Sequence, residues 1–250
     1  LRVLRYRAVA AGSILGGVLG VSLYGSIVIL PQYVQNSLGF SATTSGQLIL
    51  VRALAISFVT PAVAMIVTKS LIDARILIGC GFVLIGISNW LLGVVTTTDS
   101  SFWTFGLSLI VGGIGLGMIF VPLSISVLSA VPARDVPKAA AFYNLSRQIG
   151  GSIATAILVT LLTRGIAAHQ TALAGHVALH TPSIQTFLHA HGGEHAANAL
   201  QQLYALVGAQ ALVLSYADTA RVTALISIVL APLVFLLRRP TLHGGPIPVE

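Results

Sequence analysis

Apolar residues run along this chain in blocks of helix-spanning length, broken by short polar stretches. They do not alternate with the period of two that marks a half-buried strand. About 20 apolar residues carry an α-helix across a bilayer, and six blocks are long enough: 8–30, 46–68, 75–96, 102–128, 138–163 and 219–237. Inside lipid the backbone must satisfy its own hydrogen bonds, so each block is predicted to be a helix. The pattern predicts an all-α membrane protein with six transmembrane helices. Between the fifth and sixth blocks lies a long segment, 164–218, rich in Ala, Leu, Gln and His. Within it Leu200, Leu203, Tyr204, Val207, Ala211 and Leu214 recur at helical spacing. That spacing predicts an amphipathic helix on the outer membrane surface, leading into the last span. The alternative of two further spans in this segment is disfavoured by its six histidines and its lack of a long unbroken apolar run. The chain therefore divides into five spans over 1–163, the external segment, and the last span with its tail over 219–250.

Composition agrees with the pattern. Of 250 residues, 56% are hydrophobic and 8% charged, against about 25% charged in soluble domains. The net charge of +7 would suggest nucleic acid in a soluble protein. Here the basic residues lie mostly between apolar blocks, where they set topology, and no basic run is interleaved with aromatics, so nucleic acid is excluded as a partner. With the N-terminus inside, cytoplasmic segments hold Arg2, Arg5, Arg7, Lys69, Arg75, Arg134, Lys138, Arg238 and Arg239, and the outside holds Arg164 and Arg221. This bias predicts a multi-pass inner (plasma) membrane protein with both termini in the cytoplasm. The basic start leads into a full span with no small-residue cleavage pattern, which reads as a spanning helix rather than a signal peptide. Cys80 is the only cysteine, so no intrachain disulfide forms, and its apolar surroundings make it a packing residue.

Against this apolar background, the fifth block carries Asn144, Arg147 and Gln148. An arginine at mid-bilayer costs about 2.5–3.5 kcal/mol, and each Leu, Ile or Val returns only about 0.3–0.6 kcal/mol. On a helical wheel Asn144, Arg147, Gln148, Gly151 and Thr155 share one face, at spacings of three and four. Two readings stand: a polar stripe lining a water-filled cavity, or a hydrogen-bond network locking helices together. The cavity is favoured, because an unpaired guanidinium is poor glue. Arg52, about a third of the way into the second block, either snorkels to the surface or faces the same cavity. No acidic residue lies deep in a predicted span. Gly12, Gly16 and Gly20, and again Gly113 and Gly117, recur four apart, a spacing that admits a close neighbouring helix. Gly113-Ile114-Gly115-Leu116-Gly117 sits inside a span, with no strand before it, and is not a dinucleotide loop. His169, His176 and His180 share a helical face but read as a solvated segment more readily than as a metal site. No protease, hydrolase or paired-carboxylate motif appears, so an enzyme, a resident cofactor and a bound metal are not expected.

The run Asn144-Leu145-Ser146-Arg147-Gln148-Ile149-Gly150-Gly151-Ser152 resembles the signature of a late helix in fourteen-span drug:proton antiporters of the EmrB/QacA type, within the major facilitator superfamily. Leu30-Pro31-Gln32-Tyr33, Gly39-Phe40-Ser41-Ala42, Gly46 with Arg52, Asp73-Ala74-Arg75, Gly115-Leu116-Gly117 with Pro122-Leu123, and Ser215-Tyr216-Ala217-Asp218 resemble other pieces of that family in order. The resemblance implies the C-terminal half of such a transporter, a six-helix bundle built as an inverted three-plus-three repeat. By that analogy the first, second, fourth and fifth spans line or flank the cavity, and the third and sixth face lipid. Arg147, Gln148, Asn144, Gly151 and Thr155, with Arg52, Tyr24 and Tyr143, are the expected substrate-facing residues, and Asp73 and Arg75 mark the inner loop. The implied function is efflux of small, amphiphilic compounds, driven by the proton gradient. The implied partners are the lipid bilayer, an N-terminal half or a second copy of the chain, and a periplasmic adaptor near the histidine-bearing segment. The alternatives are an accessory or truncated membrane protein without transport of its own, and a homodimeric half-size carrier. The sequence departs from the family pattern around Arg52, where Val51 and Ala53 stand in place of proline and glycine, and in the inner loop, which lacks its usual glycine.

Overall fold

The computed structural model describes residues 7–96, 102–176, Thr186 and 197–236. It contains six long helices, α1 (Arg7–Leu38), α2 (Ala42–Thr68), α3 (Ala74–Val95), α4 (Phe102–Leu128), α5 (Val136–His176) and α6 (Ala197–Leu230). A 3₁₀ turn, Ala133–Asp135, leads into α5, and another, Ala231–Leu236, ends α6 at Pro232. No strand occurs among the described residues. Helices α2 to α6 are each long and apolar enough to cross a membrane, and α1 contributes the apolar stretch Val9–Gly20. This is the all-helical membrane bundle that the hydrophobic blocks predict.

The helices pair in a pattern with internal symmetry. α1 packs along α5, α4 packs along α2 and α3, and α3 packs against α6. Exchanging α1 with α4, α2 with α5 and α3 with α6 turns the first pair into the second and leaves the α3–α6 pair unchanged. Glycines make the two equivalent contacts close. A Cβ on Gly20 of α1 would stand 2.6 Å from the Arg147 carbonyl of α5, and one on Gly113 of α4 would stand 2.7 Å from the Arg52 carbonyl of α2. The two intramembrane arginines thus occupy matching places in the two repeats. The expected glycine face of α1 is used throughout: Gly12 meets Val127 of α4 and Gly16 meets Tyr143 of α5.

Apolar side chains fill the bundle in two stacked clusters. One, toward the end bearing the N-terminus, joins Leu15, Leu19, Phe82, Leu116, Ile119, Leu123 and Tyr143. The other, toward the opposite end, joins Leu30, Tyr33, Val34, Leu48, Phe105, Leu109, Leu158 and Tyr216. Tyr33 stacks on Tyr216 with ring centroids 4.4 Å apart and meets Phe105 edge-on at 6.1 Å. α3 leaves a stripe of Ile76, Val83, Ile87, Trp90 and Val94 exposed, consistent with a lipid-facing side. α2 and α5 are the least enclosed of the span-length helices.

Helix ends differ from the hydrophobic blocks where tertiary contacts reward extension. α1 continues through Pro31 to Leu38 because Tyr33 and Val34 are buried in the second cluster. The stretch 200–214 is not a separate surface helix. It is the first part of α6, whose Ala211, Val213, Ser215, Tyr216 and Ala217 are buried. The external segment is correspondingly shorter than 164–218, because α5 runs on to His176. Ser41 in the α1–α2 turn caps α2 and Asp73 in the α2–α3 loop caps α3, each accepting a backbone N–H at 3.1 Å. Ser70 in the α2–α3 loop has φ of +51°, a conformation that costs an L-residue about 1–2 kcal/mol. The loop keeps the backbone shape of a glycine without the glycine. Ser70→Gly should stabilise the chain by up to about 1 kcal/mol, after the entropy that glycine adds to the unfolded state. A thermal melt of the purified variant checks this, and an unchanged or lower midpoint would count against the strain.

Candidate substrate-facing site

α5 is where the polar stripe lies, and the structure divides its members. Asn144 and Gln148 are exposed, on a face that also presents Leu145, Ile149, Ile153 and Ile157. Arg147 is half-buried at the edge of that face. Its Nη2 donates to Asn144 Oδ1 at 3.0 Å, and its guanidinium carbon lies 4.9 Å from the Phe120 ring centroid and 6.0 Å from that of Tyr143. Stacking of this kind contributes about 0.5–1 kcal/mol where exposed and about 2 where desolvated. The aromatic rings and Asn144 replace part of the hydration that the charge loses. Among the described residues no carboxylate forms an ion pair with Arg147.

Gly151 lies in the α1–α5 contact rather than on the open face, with its backbone against Gly20. Thr155 is half-buried, and its hydroxyl donates back to the Gly151 carbonyl at 2.9 Å, so its polarity is spent within the helix. Tyr143 is buried against Gly16 and forms the floor beneath Arg147. Tyr24 falls on α1, and its side chain lies outside the described residues. Among the described side chains the open polar group is therefore Asn144, Arg147 and Gln148, backed by Tyr143 and Phe120. Phe120 was not legible in the sequence, because it reaches Arg147 from another helix.

Arg52 has a different setting. It is 7% exposed, its Nε is buried without an acceptor, and no hydrogen bond or ion pair joins it to Arg147 among the described residues. It lies within electrostatic range of Tyr216 of α6, in the aromatic cluster with Tyr33. The equivalent positions in the two repeats thus hold one enclosed and one half-open arginine. At the inner loop, Asp73 caps α3 and Arg75 is half-buried with its Nε unsatisfied. No group of three or more metal-ligating side chains occurs among the described residues, and His180, His189, His191 and His195 lie outside them.

Such a constellation presents hydrogen-bonding groups on an otherwise apolar helix face. The Major Facilitator Superfamily profile matches residues 1–169. The MFS-type transporter YcnB of Bacillus subtilis is 30% identical over 83% of this chain and 41% of its own length. The colistin resistance protein EmrB of Acinetobacter baumannii is 28% identical over 89% of this chain and 44% of its own length. The multidrug export protein EmrB of Haemophilus influenzae is 27% identical over 66% of this chain and 32% of its own length. The chain thus spans less than half the length of these relatives. Six packed helices, two glycine-mediated pairs related by an internal exchange, and a matching profile over two thirds of the residues lead to one assignment: this chain belongs to the Major Facilitator Superfamily, a family of membrane carriers rather than enzymes.

Proposed function

We propose that this chain is the C-terminal six-helix half of a proton-coupled, multidrug-type efflux transporter, and that it moves small amphiphilic compounds by alternating access. The carrying observation is the open face of α5. There Asn144, Arg147 and Gln148 interrupt an apolar surface, and no carboxylate among the described residues pairs with the charge. A guanidinium in that position is costly in lipid and suited to a wet crevice. The relatives' names, which refer to multidrug export and colistin resistance, support the cargo class. The exposed apolar sides of α2 (Leu50, Leu54, Phe58, Met65) and α5 (Leu145, Ile149, Ile153, Ile157) suit the second six-helix bundle against which this half rocks. In this reading the membrane is the cell's inner membrane, both termini are cytoplasmic, the proton gradient supplies the energy, and the α1–α2 turn and the outer ends of α5 and α6 are extracytoplasmic, where an adaptor protein has access to them.

Arg147 acts by holding acceptor groups of the cargo at the midplane while Phe120 and Tyr143 shield its stem. The test is proton-driven dye efflux in proteoliposomes containing this chain with its N-terminal half. Loss of a charged hydrogen bond is worth about 1.5–3 kcal/mol, so Arg147→Ala should slow efflux by about 10- to 100-fold with assembly unchanged. Equal efflux by variant and parent would remove Arg147 from the mechanism. Efflux by the chain alone, at the mass of two copies, would put a second copy in place of the N-terminal half.

A further inference from the structure

Where α5 and α6 lie side by side at the end opposite the N-terminus, His169 Nε2 is 2.9 Å from Asp218 Oδ2. Arg221 Nη1 donates to the other oxygen of the same carboxylate at 3.2 Å. Every other ion pair among the described residues joins neighbours in sequence, so this is the one that links two helices. The Arg221 stem also lies across Gly93 of α3, with its Cγ 3.0 Å from where a Cβ would stand. One carboxylate thus gathers three helices. His169 lies about 50 Å along α5 from its start, at ~1.5 Å per residue, and Gly93 is in the last turn of α3, so the site is at the end of the bundle away from the α5 N-terminus. Its side chains are partly open, His169 by 32% and Asp218 by 54%, so protons from the adjoining medium reach them.

We infer that His169 and Asp218 form a proton-binding clasp, closed when the imidazole is charged and loosened when it is neutral. Histidine is the side chain that changes charge across the ordinary range of pH, and a charged donor strengthens a hydrogen bond to a carboxylate. Among the described residues the charged groups around the pair are few. α6 supplies Arg221, which sits on the other oxygen; α5 supplies the exposed Arg164, five residues away; the facing turn of α3, around Gly93, supplies none. Asp218 therefore keeps one permanent charged partner, and protonation of the imidazole turns its second from a neutral donor into a charged one. Around the clasp the α5–α6 contact is close, with Gly165 of α5 against Ser215 of α6 and Leu158 and Leu162 in the cluster with Val213 and Ala220. Above it most of the α6 residues Gln201–Leu206 are exposed. The clasp thus stands within the packed α5–α6 contact, short of the exposed first turns of α6. This inference does not depend on what the chain transports.

Hydrogen exchange of the full chain in nanodiscs tests it, following peptides from 164–176 and 201–218 at several pH values and comparing variants at equal pH. An exposed pair of this kind is worth about 0.2–1 kcal/mol, so opening should be about two- to fivefold less frequent at acidic than at alkaline pH in the parent. His169→Gln and Asp218→Asn should each remove that pH step while leaving the α1–α5 peptides unchanged. His169→Lys, charged throughout, should hold the closed level at both pH values, which a merely structural contact would not predict. The other histidines remain in every variant, so the difference isolates His169. A parent without the step, or a step that survives His169→Gln, would overturn the clasp, and the Arg147 efflux assay would be unaffected by either result.

Discussion

Gly150→Leu should destabilise this bundle by about 3 kcal/mol or more. A Cβ at Gly150 would lie 2.5 Å from the Gly17 Cα and 2.9 Å from the Gly17 carbonyl oxygen. These are backbone atoms, so no side chain can turn aside to make room. The only relief is separation of α1 from α5, and that interface also holds Gly20 against the Arg147 carbonyl and Gly16 against Tyr143. Overpacking a well-filled core costs about 1–3 kcal/mol, occasionally more. Here whole helices must part, so the upper end applies, and a large fraction of typical net stability is lost. Gly46→Leu is the control, because nothing lies within 4 Å of a Cβ there. Size-exclusion profile and melting midpoint in detergent decide the matter. A monodisperse Gly150→Leu protein melting with the parent would show that the α1–α5 contact is looser than the structure has it.

The second large effect has the opposite sign. Arg52→Met should stabilise the chain by about 1–4 kcal/mol, the range seen when buried ionic groups yield to apolar residues of similar volume. Arg52 is 7% exposed, its Nε has no acceptor, and it lies within electrostatic range of the buried Tyr216. Its charge is therefore a burden on folding that no described hydrogen bond offsets. Methionine fills much of the same space without the charge. Arg52→Ala should instead destabilise, since it also leaves a cavity. Melting midpoints of the two variants in the same detergent give the comparison. If methionine lowered the midpoint as alanine does, Arg52 would have to contribute a favourable interaction that its surroundings do not show.

What the residues alone determined was the class of the molecule and the place of its polar interruption. Twenty-residue apolar blocks admit only helices in lipid, because an unpaired backbone group there has no water to turn to. An arginine in such a block has to be sheltered, so Arg147 stood out before any neighbour was known. The glycine spacing likewise announced close contacts, though not with which helices. Tertiary structure decided the rest. Phe120 lies on α4 and Arg147 on α5, and their contact depends on how the two helices lie, which no local pattern encodes. Gly151 and Gln148 look alike on a wheel, yet one packs against Gly20 and the other stays open, because the position of α1 selects which side of α5 is covered. The stretch 200–214 carries a surface-helix pattern, but the burial of Ala211 onward joins it to the last span. His169 and Asp218, 49 residues apart, meet only because α5 and α6 run side by side. Hydrophobic period reports which medium a residue needs. Which neighbour it meets is set by the packing of whole helices, and that is a property of surfaces far apart in the chain.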